Sequence, residues 1–309
     1  MASPLSTSPL EPHSSSPDIP NALSVDVEDY YHVEAFRDSM SPDKWLLCQP
    51  RIVENTQRVL SLLERLNVRA TFFILGWVAE HYPRIVREIV AGGHEVGCHS
   101  YWHRCVWRLS PDEFCSDTRR ARAAIEDAGG VAVSGYRAPS FSIVESSLWA
   151  VETLAREGFA YDSSVFPIYH DVYGYPTAPR FPFRWTNPQG HVLYEVPPTT
   201  VRLGGWNLPA AGGAYLRILP DWYTSWAARK ISREGRSLVV YFHPWEIDPQ
   251  QPRLKGHLKS RLRHYTHIDR MEGKLERLLA RGKFVPIAEH LQALLQGPLV
   301  IHENPPQVV

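Results

Sequence analysis

Short apolar runs alternate with helix-periodic segments along most of this 309-residue chain. That alternation constrains the fold more than any other feature, because a helix between two strands returns the chain to run parallel to itself. Ala22-Leu23-Ser24-Val25-Asp26-Val27 reads as a strand that ends on a charge cluster. Ile52, Val53, Val59, Leu60, Leu63 and Leu66 then recur at helical spacing. Residues 70–76 form a continuous apolar run, typical of a strand covered on both faces. A helix over 83–90 stops at Gly92-Gly93, and 94–99 reads as a shorter strand. Ser110-Pro111-Asp112-Glu113 is a capping box that opens a helix to about Asp127. Further strands are expected over 133–137, 159–162, 192–196, 238–242 and 284–287, with helices over 146–157, 215–234, 267–281 and up to about 296. About eight strands in this pattern predict an α/β fold with a mostly parallel sheet, a barrel in preference to an open sheet. No GxGxxG or GxxxxGK[ST] is present, so a nucleotide-binding sheet loses support.

Lys+Arg and Asp+Glu are both 33, so the formal net charge is zero. Nucleic-acid binders and polybasic membrane proteins work by a cationic face, and the balance argues against both. A zero sum can still conceal a local patch. Ten Trp, 14 Tyr and 11 Phe supply rings for a core and for stacking on sugar faces. Cys48, Cys98, Cys105 and Cys115 lack CxxC spacing and read as reduced, buried thiols, which fits a cytoplasmic chain. Residues 1–20 contain five prolines and no Lys or Arg, unlike a secretory signal, and read as a disordered leader. No window approaches the roughly 18 apolar residues of a membrane span. The organisation expected is a leader over 1–20, one domain over 21–297 and a polar tail over 298–309.

Reactive residues collect at the predicted C-terminal strand ends. Asp26, Glu28 and Asp29 follow the first strand, His99 and His103 the third, Arg137 the fourth, Asp162 the fifth, and His243 the run 238–242. In an α/β barrel these ends share the face that carries the active site. His99 and His103 are spaced i and i+4, so one helical turn would present both imidazoles to a metal. Asp26 and Glu28 point the same way on an extended segment, so one could bind the metal while the other accepts a proton from water; adjacent Asp29 is an alternative ligand. Arg137 is placed to hold such a base, His243 to act as an acid, and Asp162 to orient His243. His32, His81, His94, His170, His191, His257, His264, His267 and His290 show no comparable convergence.

These segments resemble the polysaccharide deacetylase family with the NodB-homology domain, carbohydrate esterase family 4. Asp26-Val27-Glu28 resembles its first motif in a D-x-D/E form, and His99-Ser100-Tyr101-Trp102-His103 its H-[ST]-x-x-H motif. Arg137-Ala138-Pro139-Ser140 resembles the R-x-P motif with Ser140 and Phe141 where Tyr is usual. Tyr161-Asp162-Ser163-Ser164 and Phe242-His243-Pro244 resemble the last two. The resemblance implies a distorted (β/α) barrel of seven to eight strands. It also implies Asp26 as general base paired with Arg137, His243 as general acid, and one divalent metal on Glu28, His99 and His103, most often Zn²⁺ in the family. A narrower likeness runs through 24–32 and through Thr200-Val201-Arg202-Leu203-Gly204-Gly205-Trp206-Asn207-Leu208-Pro209. It is to the exopolysaccharide deacetylases associated with the exosortase/PEP-CTERM system. The activity implied is removal of N-acetyl groups from a GlcNAc-type sugar of an exopolysaccharide or its precursor, with a backbone N–H near Ser140 or Phe141 at the oxyanion. The rivals are an amidohydrolase of the same fold acting on allantoin or a cyclic imide, and a non-catalytic sugar-binding relic. The partner expected is carbohydrate, with no nucleic acid and no transmembrane segment.

Overall fold

A computed structural model describes residues 19–186, 189–210, 212–297 and 302–303. In chain order its strands and α-helices are β1 (Asn21–Val27), α1 (Ile52–Arg65), β2 (Thr71–Ile74), α2 (Gly76–His81), α3 (Pro83–Ala91), β3 (Glu95–Cys98), α4 (Pro111–Gly129), β4 (Gly135–Tyr136), α5 (Trp149–Arg156), β5 (Tyr161–Asp162), β6 (Phe183–Thr186), β7 (Val192–Glu195), β8 (Thr200–Leu203), β9 (Trp206–Pro209), α6 (Gly213–Ile218), α7 (Asp221–Arg233), β10 (Val239–Phe242), α8 (Leu258–Tyr265), α9 (Ile268–Leu279), β11 (Phe284–Val285), α10 (Ile287–Gln296) and β12 (His302–Glu303). The sheet runs β10-β1-β2-β3-β4-β5-β7-β6-β12, and β11 also pairs with β1. Among the described residues only β6 and β7 pair antiparallel within it. All eight strands expected from the sequence lie in this sheet.

Ala22 pairs with Val239 on one side and Val285 on the other, while Ser24 onward pairs with β2. β11 and β2 therefore take successive stretches of one side of β1. Among the described residues no pairing joins β12 back to β10, so the curled sheet is a distorted, unclosed barrel. The expected fold class is borne out. β8 and β9 form a separate hairpin through Gly204 and Gly205, at φ 53 and 87.

Local physics explains most boundaries. Leu23, Val25 and Val27 of β1 and Phe72, Phe73 and Ile74 of β2 are completely buried, as central parallel strands require. The capping box is present: Glu113 N–H donates to Ser110 Oγ at 3.3 Å and Ser110 N–H to Glu113 Oε2 at 2.8 Å. The apolar run 70–76 ends as a strand at Ile74, because Gly76 begins α2. A Cβ there would fall 2.6 Å from the Ala121 Cα, so only glycine lets α2 cross α4 this closely. The single helical region expected over 215–234 is two helices, divided where Pro220 precedes α7.

Residues 1–18 of the expected leader lie outside the described residues, whereas Ile19 and Pro20 are anchored. Ser237 Oγ donates to the Ile19 carbonyl at 2.8 Å, and His290 Nδ1 to that of Pro20 at 2.7 Å. In the expected tail, His302–Glu303 pairs with β6, and the remainder lies outside the described residues.

His290 gives a pH prediction. Burial lowers its pKa to about 4, although the Pro20 carbonyl raises it in part. The unfolded chain takes up the proton near 6.5, so this stability is present above that pH and is lost as pH falls toward 4. The difference is about 3 kcal/mol. Chemical denaturation from pH 7 to 4 should show a shallower pH dependence in His290→Gln than in the parent; an unchanged slope would mean His290 is protonated in the fold.

Candidate active site

Asp26 lies near the end of β1, His99 directly follows β3, Arg137 follows β4, Asp162 ends β5 and His243 follows β10. Parallel pairing places these ends on one rim. Arg137 is fully buried. Its Nη1 donates to Asp26 Oδ1 and Ser24 Oγ, both at 2.7 Å. Its Nη2 donates to Ser163 Oγ at 2.7 Å and its Nε to the Ser163 carbonyl at 3.0 Å. The guanidinium carbon lies 4.3 Å from the Phe73 ring centroid. Arg137 thus offsets the charge of Asp26 and fixes its orientation.

Glu28, His99 and His103 are buried, with one ligand atom from each inside a 4.8 Å group. His99 Nδ1 lies 2.8 Å from the Arg137 carbonyl, which accepts its proton and leaves Nε2 for a ligand. His103 Nε2 and Glu28 Oε2 are 3.2 Å apart. Neither atom has a hydrogen-bond partner among the described residues. Leaving such buried groups unpaired is costly, and a divalent cation on this Glu/His/His set would satisfy both. The donor set therefore fits a metal.

The expected helical turn through His99 and His103 is not formed. Ser100 and His103 adopt left-handed φ values of 65 and 51, and residues 99–105 are irregular. Tyr101 N–H donates to Asp117 Oδ2 at 2.7 Å and Gly76 N–H to the Ser100 carbonyl at 2.9 Å. These anchors hold the imidazole centroids 5.3 Å apart. Nor is Glu28 on an extended segment, since its N–H turns back to the Asp26 carbonyl at 3.0 Å. Asp29 faces away from the site. Its carboxylate accepts N–H groups of Tyr30 at 2.9 Å, Arg51 at 2.7 Å and Ile52 at 2.9 Å, which caps the start of α1. Asp29→Ala should cost about 1–2 kcal/mol, the worth of a helix cap, and keep metal binding. Glu28→Ala should lose the metal. Thermal melts with metal analysis separate the two, and metal loss confined to Asp29→Ala would reverse the assignment.

His243 Nε2 lies 3.0 Å from Glu28 Oε1 and 3.9 Å from Asp26 Oδ2. The expected partnership with Asp162 is not found. Asp162 accepts from Ser164 Oγ and lies across from buried Glu195 on β7. Burial raises the pKa of both carboxyls, consistent with one proton held between them. Glu246 orients His243 instead, with Oε2 3.0 Å from Nδ1. Burial would raise the Glu246 pKa, but Arg217 and His243 outweigh it and lower it to about 2. Arg217 Nε donates to Glu246 Oε1 at 2.6 Å, and its other nitrogens to the Thr266 and Arg263 carbonyls. His243 stacks on Trp245 at 5.1 Å, and Trp245 on His264 at 4.1 Å.

Sequence reasoning passed over four of these residues. Glu246 follows His243 by three residues across Pro244, a cap-like spacing that could have found it. Arg217 comes from distant α6 with no sequence signal. His32 is buried, accepts the Asp29 N–H on Nδ1 at 2.9 Å and packs against Trp45. His264 lines the cavity. That cavity, about 380 Å³, is bounded by Asp26, Glu28, His99, His103 and His243, with Tyr173 and Tyr241 on its walls.

A polysaccharide deacetylase model matches residues 42–158. That stretch belongs to the polysaccharide deacetylase family. A second model, a domain of unknown function (DUF3473), matches residues 163–292. The site draws His99, His103 and Arg137 from the first stretch and Arg217, His243 and Glu246 from the second. Asp26 and Glu28 precede both. The chain is 29% identical over 156 residues to a peptidoglycan-N-acetylglucosamine deacetylase of Bacillus cereus, covering 47% of this chain and 55% of that one. It is 32% identical over 105 residues to a chitooligosaccharide deacetylase of a Bradyrhizobium species, covering 34% of this chain and 47% of that one. The chain thus spans about half the length of these curated relatives. A crystal structure from Mycobacterium smegmatis that carries the polysaccharide deacetylase name shares the fold. It has a TM-score of 0.57 and 21% identity, over 96% of this chain and 99% of that one. Among the described residues no helix is long and apolar enough to cross a membrane.

Proposed function

We propose that this chain hydrolyses the N-acetyl group of a GlcNAc-type sugar in a bacterial exopolysaccharide or its precursor. The observation that carries the reading is the meeting, in one cavity, of the Asp26–Arg137 pair, the Glu28/His99/His103 set and the His243–Glu246 pair. The relatives named for peptidoglycan and chitooligosaccharide deacetylation support the N-acetyl sugar class. One domain over 21–297 would contain the whole site, and the free state of Cys48, Cys98, Cys105 and Cys115 supports a cytoplasmic location.

Glu28, His99 and His103 would hold one divalent ion, Zn²⁺ in this reading. Bound there, it polarises an acyl oxygen and acidifies water. Asp26, fixed by Arg137, takes the proton of the attacking water. The Phe141 N–H is committed to the Ala138 carbonyl at 3.1 Å, which leaves Ser140 as the amide of that pair to face the oxyanion. His243, held on Nδ1 by Glu246, gives the Nε2 proton to the departing nitrogen. The C–N bond breaks, and acetate and a free amino sugar leave.

Acetate release tests this. N-acetylated chitooligosaccharides and exopolysaccharide fragments should be turned over, and allantoin should not. Turnover of allantoin alone would favour a small-amide hydrolase. Sugar binding with no turnover at any metal loading would favour a binding relic.

A further inference from the structure

The chain's zero net charge conceals a strong local asymmetry. Residues 249–268 contain Arg253, Lys255, Lys259, Arg261 and Arg263 and no Asp or Glu, so the remainder of the chain carries the opposite excess. All five cations are exposed. Asp171 offsets Lys259 at 2.7 Å and lies 3.9 Å from Arg263. Arg253 rests over the Tyr265 ring at 4.2 Å. Lys255 and Arg261 make no ion pair among the described residues.

Helix α8 carries three of these cations and divides into two faces. Lys259, Ser260, Arg263 and His264 line the cavity. Leu258 and Leu262, four residues apart, form a stripe on the other side and are 69% and 59% exposed. The segment opposite is similar. Val33, Glu34 and Ala35 line the cavity, and the turn that follows ends on Leu46 and Leu47, 69% and 85% exposed. The two segments are tied together. Ser39 Oγ donates to the Lys255 carbonyl at 3.0 Å, and the Phe36 and His264 rings lie 5.1 Å apart. Charges on 34–47 nearly balance, Arg37 and Lys44 against Glu34, Asp38 and Asp43, and Glu34 is paired with Arg108.

Exposed leucines flanked by unopposed cations on a helix match an interfacial, surface-lying helix, and they complement an anionic bilayer in both respects. We propose that α8 and the flanking 249–257 segment, with Leu46 and Leu47, form a docking face for an anionic lipid surface. The leucines enter the headgroup layer and the cations meet lipid phosphates. Docked this way, the rim of the candidate active site stands at the membrane surface.

Flotation of the full chain with vesicles tests the face without reference to turnover, so its outcome is separate from that of the proposed activity. The chain should float with phosphatidylglycerol-containing vesicles at low salt, release as salt rises, and bind pure phosphatidylcholine weakly. Each cation is worth roughly fivefold in binding. Lys255→Glu with Arg261→Glu should therefore weaken flotation at least roughly tenfold, as should Leu258→Ser with Leu262→Ser. None of these four residues lines the cavity, so acetate release from a soluble chitooligosaccharide and the thermal melt should match the parent. Absence of flotation at low salt would overturn the proposal, as would flotation indifferent to both pairs. A concentration-dependent dimer abolished by the serine pair would assign the leucines to a second copy and overturn it too.

Discussion

Asp26→Asn should lower acetate release by roughly 10²- to 10⁴-fold, the worth of a positioned general base, and leave metal content at the parent level. Asparagine fills the same volume and keeps one oxygen for the Arg137 Nη1 donor, now at 2.7 Å. It cannot accept the proton of water. Arg137 loses its counter-charge, and removing one member of a buried pair can cost about 3–5 kcal/mol. A thermal melt therefore belongs beside the rate. A folded variant with metal and no turnover identifies Asp26 as the base. A folded variant that has lost its metal identifies Asp26 as a ligand.

The second large effect concerns proton delivery. An amine departs poorly unless protonated, whereas an aryl alcohol leaves without help. His243→Ala should lower amide hydrolysis by roughly 10²- to 10⁴-fold and cost much less on an aryl acetate. Glu246→Gln should show the same selectivity to a smaller degree, because it keeps an oxygen near His243 Nδ1 but removes the charge. It also leaves Arg217 without a charged partner at the present 2.6 Å, so folding is checked first. Equal losses on amide and aryl ester in both variants would make His243 structural. Asp162→Asn should show no such selectivity, since Asp162 bonds to Ser164 and faces Glu195 across β5 and β7, away from His243.

The sheet was legible where its strands are buried on both faces and therefore read as short apolar runs. β1, β2 and β10 carry that signal strongly. β6 and β12 do not, and α8 escaped because Leu258 and Leu262 are too few to set a period. The site was legible wherever a reactive residue sits beside a strand end, as Asp26, His99, Arg137 and His243 do. Geometry that depends on loop conformation was not. The i, i+4 spacing of His99 and His103 suggested a helix, yet left-handed residues and the Asp117 anchor create the same convergence. Asp29 stood as the alternative to Glu28 until its carboxylate was seen to be occupied by three backbone donors. The partner of His243 was sought at a strand end, whereas Glu246 lies on the turn just beyond His243 and is completed by Arg217 from α6.

The central claim is that Glu28, His99 and His103 hold the divalent ion on which hydrolysis depends. The direct measurement is metal content per chain, by elemental analysis, alongside acetate release from an N-acetylated chitooligosaccharide in the parent, His99→Ala and His103→Ala. The account predicts one ion per parent chain, with occupancy and turnover lost together in both variants and in the chelated parent. Full occupancy with undiminished turnover in His99→Ala, or turnover that survives complete metal removal, would contradict it.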